Sequence, residues 1–170
     1  VDPINNSYVY AESQYGELSK SVDGGTNFKK AKTGINTSDR TNWNTPVVFD
    51  PSNPQILYYG TNKMYKSIDR AVTWNVISPD LTNGNGGNNI GTLTCIAVAP
   101  GNSSVIYAGT DDGNVWKTTD GGLTWKERNT GTSTLTGISM ASKDTVFTSC
   151  DRNIFGAVLR LYDTPSNITT

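Results

Sequence analysis

Residues Val115–Lys126 read VWKTTDGGLTWK, and this stretch decides how the rest of the chain is read. Thr118, Asp120, Gly121, Gly122, Thr124 and Trp125 form the pattern [ST]-x-D-G-G-x-T-W between two short runs of strand-forming residues. Paired glycines accept positive φ without steric cost, and an aspartate beside them can take hydrogen bonds from the N–H groups of its own turn. The stretch therefore predicts a β-hairpin whose corner is locked by Asp120 and whose outgoing strand carries a large apolar anchor, Trp125.

The pattern repeats along the chain. Residues 1–28 (VDPINNSYVYAESQYGELSKSVDGGTNF) place Asp23 at the acidic position and Phe28 where tryptophan stands elsewhere. Residues 47–74 (VVFDPSNPQILYYGTNKMYKSIDRAVTW) keep Asp69 and Trp74 but replace the glycines by Arg70 and Ala71. Residues 96–125 are the most regular copy, and 138–168 the most degenerate, with Asp163 followed by Thr164 and Pro165. The four aspartates are separated by 46, 51 and 43 residues, close to the ~40–45 residues of a four-stranded propeller blade. Each unit is read as four strands, A to D. A is expected at Pro46–Asp50, Thr92–Ala99 and Leu135–Ala141, and B at Tyr8–Glu12, Ile56–Gly60, Val105–Thr110 and Thr145–Cys150. C is expected at Leu18–Ser21, Met64–Ser67, Val115–Thr118 and Val158–Tyr162. The fold class that follows is all-β, a β-propeller of four-stranded antiparallel blades. About four blades are present in approximate units 1–43, 44–91, 92–134 and 135–170, the first and last incomplete, and the whole is a portion of a larger propeller.

Composition bounds the function. The chain has 170 residues, 14 Lys and Arg against 15 Asp and Glu, and a formal net charge of −1. It thus has no basic field to neutralise phosphates, and no nucleic-acid partner is expected. No apolar run approaches the ~20 residues of a membrane helix, so no membrane insertion is expected. Histidine is absent, which removes His-based triads and zinc sites. Cys95 and Cys150 permit one disulfide without requiring it. No metal and no cofactor is expected. The segment Asn83–Asn89 (NGNGGNN) offers oxygen donors without a carboxylate cluster, a poor match for a hard cation.

Strand alternation puts the acidic hairpins and the A–B turns on one face, and the B–C loops and D–A crossings on the other. Asp23, Asp69, Asp120 and Asp163, each local to its own turn, are expected to fasten hairpins, and Phe28, Trp74 and Trp125 to pack between blades. Ligands are expected on the opposite face, over the crossings Lys29–Asn44 and Asn75–Gly91 and the loops Ser13–Glu17, Thr110–Asn114 and Asp151–Phe155. The binding candidates there are Tyr15, Arg40, Trp43, Asp111, Asp112, Asp151 and Arg152, an aromatic and polar set suited to sugar rings or peptides.

The hairpin pattern resembles the Asp-box (BNR) repeat of sialidases, sortilin-type receptors and related propellers, over nearly the whole chain. Sialidases imply an arginine triad, yet only Arg40, Arg70, Arg128, Arg152 and Arg160 are present, with no Phe-Arg-Ile-Pro element. Phrases such as DPSNPQILYYGT and VIYAGTDDG are similar to the two-propeller xyloglucan endoglucanases. That resemblance implies a catalytic carboxylate at Asp111, with Gln14 at the corresponding place in the first unit. The second carboxylate would have to come from another propeller. The sortilin-like propellers of large secreted or surface bacterial proteins are the third resemblance. They imply a non-catalytic, secreted or cell-surface module that binds or scaffolds a protein or carbohydrate ligand, adjoined by further blades of the same polypeptide. The alternative is a fragment of a β-glucan hydrolase of the xyloglucan endoglucanase type. Asn5, Asn36, Asn102 and Asn167 begin N-x-[ST] sequons, which matter only in a glycosylating pathway.

Overall fold

The computed structural model describes residues 1–84, 91–128, 134–142, 145–150 and 157–162. Asp151, Arg152 and Asp163, the side chain of Cys150 and most of the Asn83–Asn89 segment lie outside them.

Among the described residues, fourteen strands fall into four antiparallel sheets that follow one another along the chain. The first holds β1 (Val9–Ser13), β2 (Glu17–Ser21) and β3 (Lys29–Lys30). The second is β4 (Val47–Phe49), β5 (Leu57–Gly60), β6 (Met64–Ser67) and β7 (Asn75–Val76). The third is β8 (Leu93–Ala99), β9 (Asn102–Thr110), β10 (Val115–Thr118) and β11 (Lys126–Glu127). The fourth is β12 (Leu135–Ser142), β13 (Thr145–Cys150) and β14 (Ala157–Tyr162). Each sheet is a meander, so strands adjacent in sequence are adjacent in space. The expected A, B and C strands all form, with ends shifted by a few residues. The described outgoing D strands, β3, β7 and β11, are only two residues long, and β3 and β11 carry Lys29, Lys30, Lys126 and Glu127. Short, charged outer edges discourage edge-to-edge pairing with other chains.

The strand faces explain the apolar pattern. All four residues of β5 are buried, because the second sheet has a sheet on each side. Leu57 and Tyr59 point to the first sheet, packing with Leu18, Ala31 and Ile35, while Tyr58 points to the third, packing with Leu93, Ile96 and Ile106. A third apolar layer, with Cys95, Val105, Tyr107 and Val115, meets Leu135 and Ile138 of the fourth sheet. Cys95 is a free, buried thiol, and burial pushes its pKa up to about 11 despite the hydroxyl of Thr94. Thiolate chemistry is thereby suppressed.

The three described acidic hairpins, at Asp23, Asp69 and Asp120, share one geometry. The Thr118 hydroxyl donates to Asp120 Oδ1 at 2.7 Å and accepts the N–H of Gly122 at 3.0 Å, while Asp120 Oδ1 accepts the N–H of Thr124 at 2.9 Å. Ser67, Asp69, Ala71 and Thr73 repeat this at 2.8, 2.9 and 2.9 Å, and Ser21, Asp23, Gly25 and Asn27 at 2.6, 2.9 and 2.9 Å. The backbone is kept even where glycine is not, since Arg70 and Ala71 both sit at φ 58°. That strain coexists with new contacts to the first sheet. Arg70 Nε donates to the fully buried Asp2 carboxylate at 3.1 Å, its guanidinium lies 4.7 Å from the Tyr8 ring, and its carbonyl accepts from Lys20 Nζ at 2.7 Å. Burial raises the Asp2 pKa, but the Ile4 N–H and Arg70 outweigh it and the net shift is downward. A relaxed hairpin has thus become an inter-sheet fastener.

These hairpins make stability sensitive to acid. The Ser21 hydroxyl and Asn27 hold the Asp23 pKa down at about 2; at Asp69 some burial opposes the Thr73 and Ser67 donors, yet the value also falls to about 2. Asp120 is lowered too, by Thr124 first and Thr118 after it. A carboxylate depressed in the folded state stabilises above its unfolded pKa, near 3.8, and loses that contribution as pH falls through the folded value. Melting temperature is therefore expected to drop between about pH 4 and pH 2. In Asp69→Asn the drop should be shallower, and an equal slope in wild type and variant would contradict the assignment.

Candidate functional site

The face opposite the acidic hairpins is built from the loops that follow β1, β5 and β9 and the crossings between sheets. At its first corner, β1 ends at Ser13 and a 3-10 turn, Gln14–Gly16, carries the chain into β2. Tyr15 in this turn has φ 59° and ψ 37°, a left-handed conformation that is uncommon for an aromatic residue. The turn is clamped by the second sheet, where the Tyr59 hydroxyl donates to Gly16 O at 2.7 Å. It is also tied to the crossing, since Tyr15 N donates to Trp43 O at 3.1 Å and the Thr41 hydroxyl to Tyr15 O at 3.0 Å. The Tyr15 and Trp43 rings meet edge to face with centroids 5.1 Å apart, and both remain about half exposed, 53% and 49%.

Beside this pair opens a cleft of about 480 Å³ whose other walls are Glu12, Ser13, Gln14 and Asn44. Glu12 accepts the N–H of Thr45 at 2.8 Å. Desolvation raises its pKa, with the Thr45 and Gly16 N–H groups opposing. The arrangement offers two fixed aromatic faces or edges, a carboxylate and two amide side chains, a set that can stack on an apolar ring face and hydrogen-bond to hydroxyls around it.

Of the other candidates, the described ones, Arg40, Asp111 and Asp112, are engaged within the protein, while Asp151 and Arg152 lie outside the described residues. Arg40 donates to Gly91 O, Asp80 and Thr82 at 3.1, 2.9 and 2.9 Å, which spends its guanidinium on joining two crossings. Asp111 is only 5% exposed, and its two oxygens accept the N–H and hydroxyl of Thr92 at 3.0 and 2.8 Å. Asp112 accepts the N–H of Asn83 at 2.6 Å and the hydroxyl of Thr110. The structure therefore brings Tyr15 and Trp43 together and sets Arg40, Asp111 and Asp112 into the loop framework. Among the described residues, no three His, Cys, Asp or Glu side chains converge as metal ligands. The described residues also hold no helix long and apolar enough to cross a membrane.

Sequence reasoning did not single out Glu12, Gln14 or Asn44 as binding groups. A signal for Glu12 was present. Strand register makes it equivalent to Gly60 and Gly109. A carboxylate standing where two repeats carry glycine marks a position with different surroundings.

Comparison with solved structures places the architecture. The chain aligns with the GH74 enzyme of Niastella koreensis at TM-score 0.68 and 23% identity, covering 96% of this chain and 28% of that one. The fold is that of a β-propeller. An ancestral GH74 enzyme aligns at TM-score 0.63 and 19% identity, over 88% of this chain and 21% of the enzyme. A structure of YCF48 bound to D1 peptide aligns at TM-score 0.52 and 16% identity, over 94% of this chain and 62% of that one. The chain thus spans only 21% and 28% of the length of the two GH74 enzymes it resembles. No protein-family model and no curated protein matches it. The four sheets are blades, and the loop face with the Tyr15–Trp43 cleft is one of the two faces of the propeller.

Proposed function

We propose that the chain is a non-catalytic propeller module of Asp-box type that binds a carbohydrate through the cleft beside Tyr15 and Trp43. The observation that carries this reading is the pair itself. Two large aromatic side chains are held half exposed by main-chain bonds, while the described charged candidates Arg40, Asp111 and Asp112 are taken up inside the fold. Preorganised aromatic surface gives contact area at little entropic cost. A protein ligand is the other occupant that such a cleft suits, and the YCF48 complex is a propeller with a peptide bound. Within this reading the approximate blade units are 1–43, 44–91, 92–134 and 135–170, further blades belong to the same polypeptide, and the parent is a secreted or cell-surface bacterial protein of the sortilin-like kind.

The test is a titration with soluble β-1,4-glucan oligosaccharides, followed by tryptophan fluorescence and calorimetry. Saturable binding is expected, and Trp43→Ala should weaken it at least about tenfold, near 1.4 kcal/mol. The melting temperature should barely move, because Trp43 is half exposed. Unchanged affinity in Trp43→Ala would remove the cleft from the argument.

The GH74 likenesses favour a second reading, a fragment of a β-glucan hydrolase with Asp111 as one catalytic carboxyl group. Both Asp111 oxygens are occupied by Thr92, and the partner carboxylate would come from outside these residues. Asp111→Asn in the complete protein is expected to leave β-glucan cleavage unchanged if the module only binds. A loss of a hundredfold or more in kcat at unaltered melting temperature would establish the hydrolase instead.

A further inference from the structure

The B strand of the second blade carries a side chain that its neighbours lack. Pairing with the C strands sets the equivalences, because Val9, Leu57 and Ile106 lie opposite Ser21, Ser67 and Thr118. Tyr59 therefore stands where the first and third blades carry Ala11 and Ala108. Ala108 is fully buried within its own apolar layer, so the repeat itself does not demand a phenol at this place. Tyr59 is also fully buried, in the layer between the first two blades, and a ligand on the loop face does not touch it.

What the phenol adds is one oxygen beneath the loop face. The Tyr59 hydroxyl donates to Gly16 O at 2.7 Å, directly after Tyr15. A methyl group on Gly16 would collide with that oxygen and stand 2.8 Å from the Thr45 hydroxyl, so both oxygens lie under the turn. The Thr45 hydroxyl donates in its turn to Asn42 O at 3.1 Å, bracketing Trp43 from the same side. Burial first, and the Glu12 charge after it, raise the Tyr59 pKa, so the hydroxyl keeps its proton and remains a donor. The left-handed φ of 59° at Tyr15 persists only where its surroundings over-determine it. With Gly16 released, the bond from Tyr15 N to Trp43 O would lose its nearest support.

We propose that Tyr59 is the positioning residue of the cleft. Its buried hydroxyl holds the Gln14–Gly16 turn in the conformation that sets Tyr15 against Trp43, and affinity depends on a group that the ligand never reaches. Sites of this kind rest on a supporting shell that locks the groups in contact with the ligand. The inference relies on the carbohydrate reading above only for the chemistry of the ligand.

Tyr59→Phe keeps the ring and deletes the oxygen. Tyr58→Phe is the control, for Tyr58 is the preceding residue of the same strand, equally buried, and its hydroxyl donates to Asp50 Oδ2 at 3.2 Å in the turn on the hairpin face. Both variants are followed by hydrogen exchange at the Tyr15 amide, by the nuclear Overhauser contact between the Tyr15 and Trp43 rings, and by titration with β-1,4-glucan oligosaccharides. Tyr59→Phe is expected to speed exchange at Tyr15 at least about tenfold, to weaken the ring contact and to lower affinity about fivefold or more. Tyr58→Phe should leave all three unchanged, and protection in β9 serves as the measure that both variants are folded. Equal exchange at Tyr15 in the two variants would overturn the proposal, whatever their affinities. Faster exchange in Tyr59→Phe alone, in a protein that binds no glucan, would uphold the positioning role and reject the carbohydrate reading instead.

Discussion

Replacing Trp74 by alanine is expected to cost about 3–5 kcal/mol of folding stability, whereas Phe28→Ala, at the same position of the preceding repeat, should cost less than about 1 kcal/mol. Trp74 is 3% exposed and lies within the layer that joins the first two blades, with its ring 5.6 Å from that of Tyr59. Its indole N–H donates to Ala31 O at 2.8 Å. Truncation would open a cavity the size of an indole and also strip a buried carbonyl of its donor, two losses that add. Phe28 is 43% exposed, because no described blade lies on its side of the first sheet. Trp125 repeats the Trp74 contact, donating to Ile77 O at 2.8 Å. Urea unfolding of the three alanine variants checks the order, with Trp74 losing most. Trp74→Phe separates the terms, since it keeps most of the ring and should retain all but about 1–2 kcal/mol. Equal losses at positions 28 and 74 would show that packing between blades is not what the aromatic position contributes.

That contrast also shows where the sequence could be read and where it could not. Strand order, hairpin corners and blade repetition are local matters of turn chemistry and period. The Asp120 pattern, the Asp50-Pro51 turn and the apolar runs around Tyr58 and Tyr107 therefore led directly to them. Phe28 was expected to pack between blades like Trp74, yet it is partly solvent-exposed. Its environment depends on which blade lies beside it, and no residue within its own repeat encodes that. Arg70 misleads in the other direction. In sequence it is a damaged glycine position, and only the fold brings it to Asp2, 68 residues away. On the loop face, Tyr15 and Trp43 could be named as exposed aromatics, but their meeting depends on a turn and a crossing 28 residues apart. Arg40, Asp111 and Asp112 looked the same as binding groups do, because a charge that pins a crossing and a charge that awaits a ligand have the same letter.

The second large effect is expected at Gly34, where alanine should destabilise by about 2–5 kcal/mol, the sum of backbone strain and overpacking. Ile35 N donates to Lys32 O at 3.0 Å, closing a tight turn with Gly34 at its third position and φ 98°. This is the place in a type II turn where a side chain is disfavoured. A methyl group there would also stand 2.2 Å from Trp74 O, and that carbonyl has little freedom to retreat because Trp74 N is itself bonded to Thr33 O at 2.9 Å. Gly25 provides the control, for it too has a positive φ, 96°, but a methyl group there meets nothing closer than 3.9 Å. Gly25→Ala should therefore show the strain alone, roughly 1–2 kcal/mol. The difference between the two variants measures how closely the crossing between the first two blades is pressed against the second. A Gly34→Ala loss no larger than that of Gly25→Ala would mean that the crossing yields easily. The Tyr15–Trp43 cleft, whose Trp43 wall is carried by the same crossing, would then lose its claim to be preorganised.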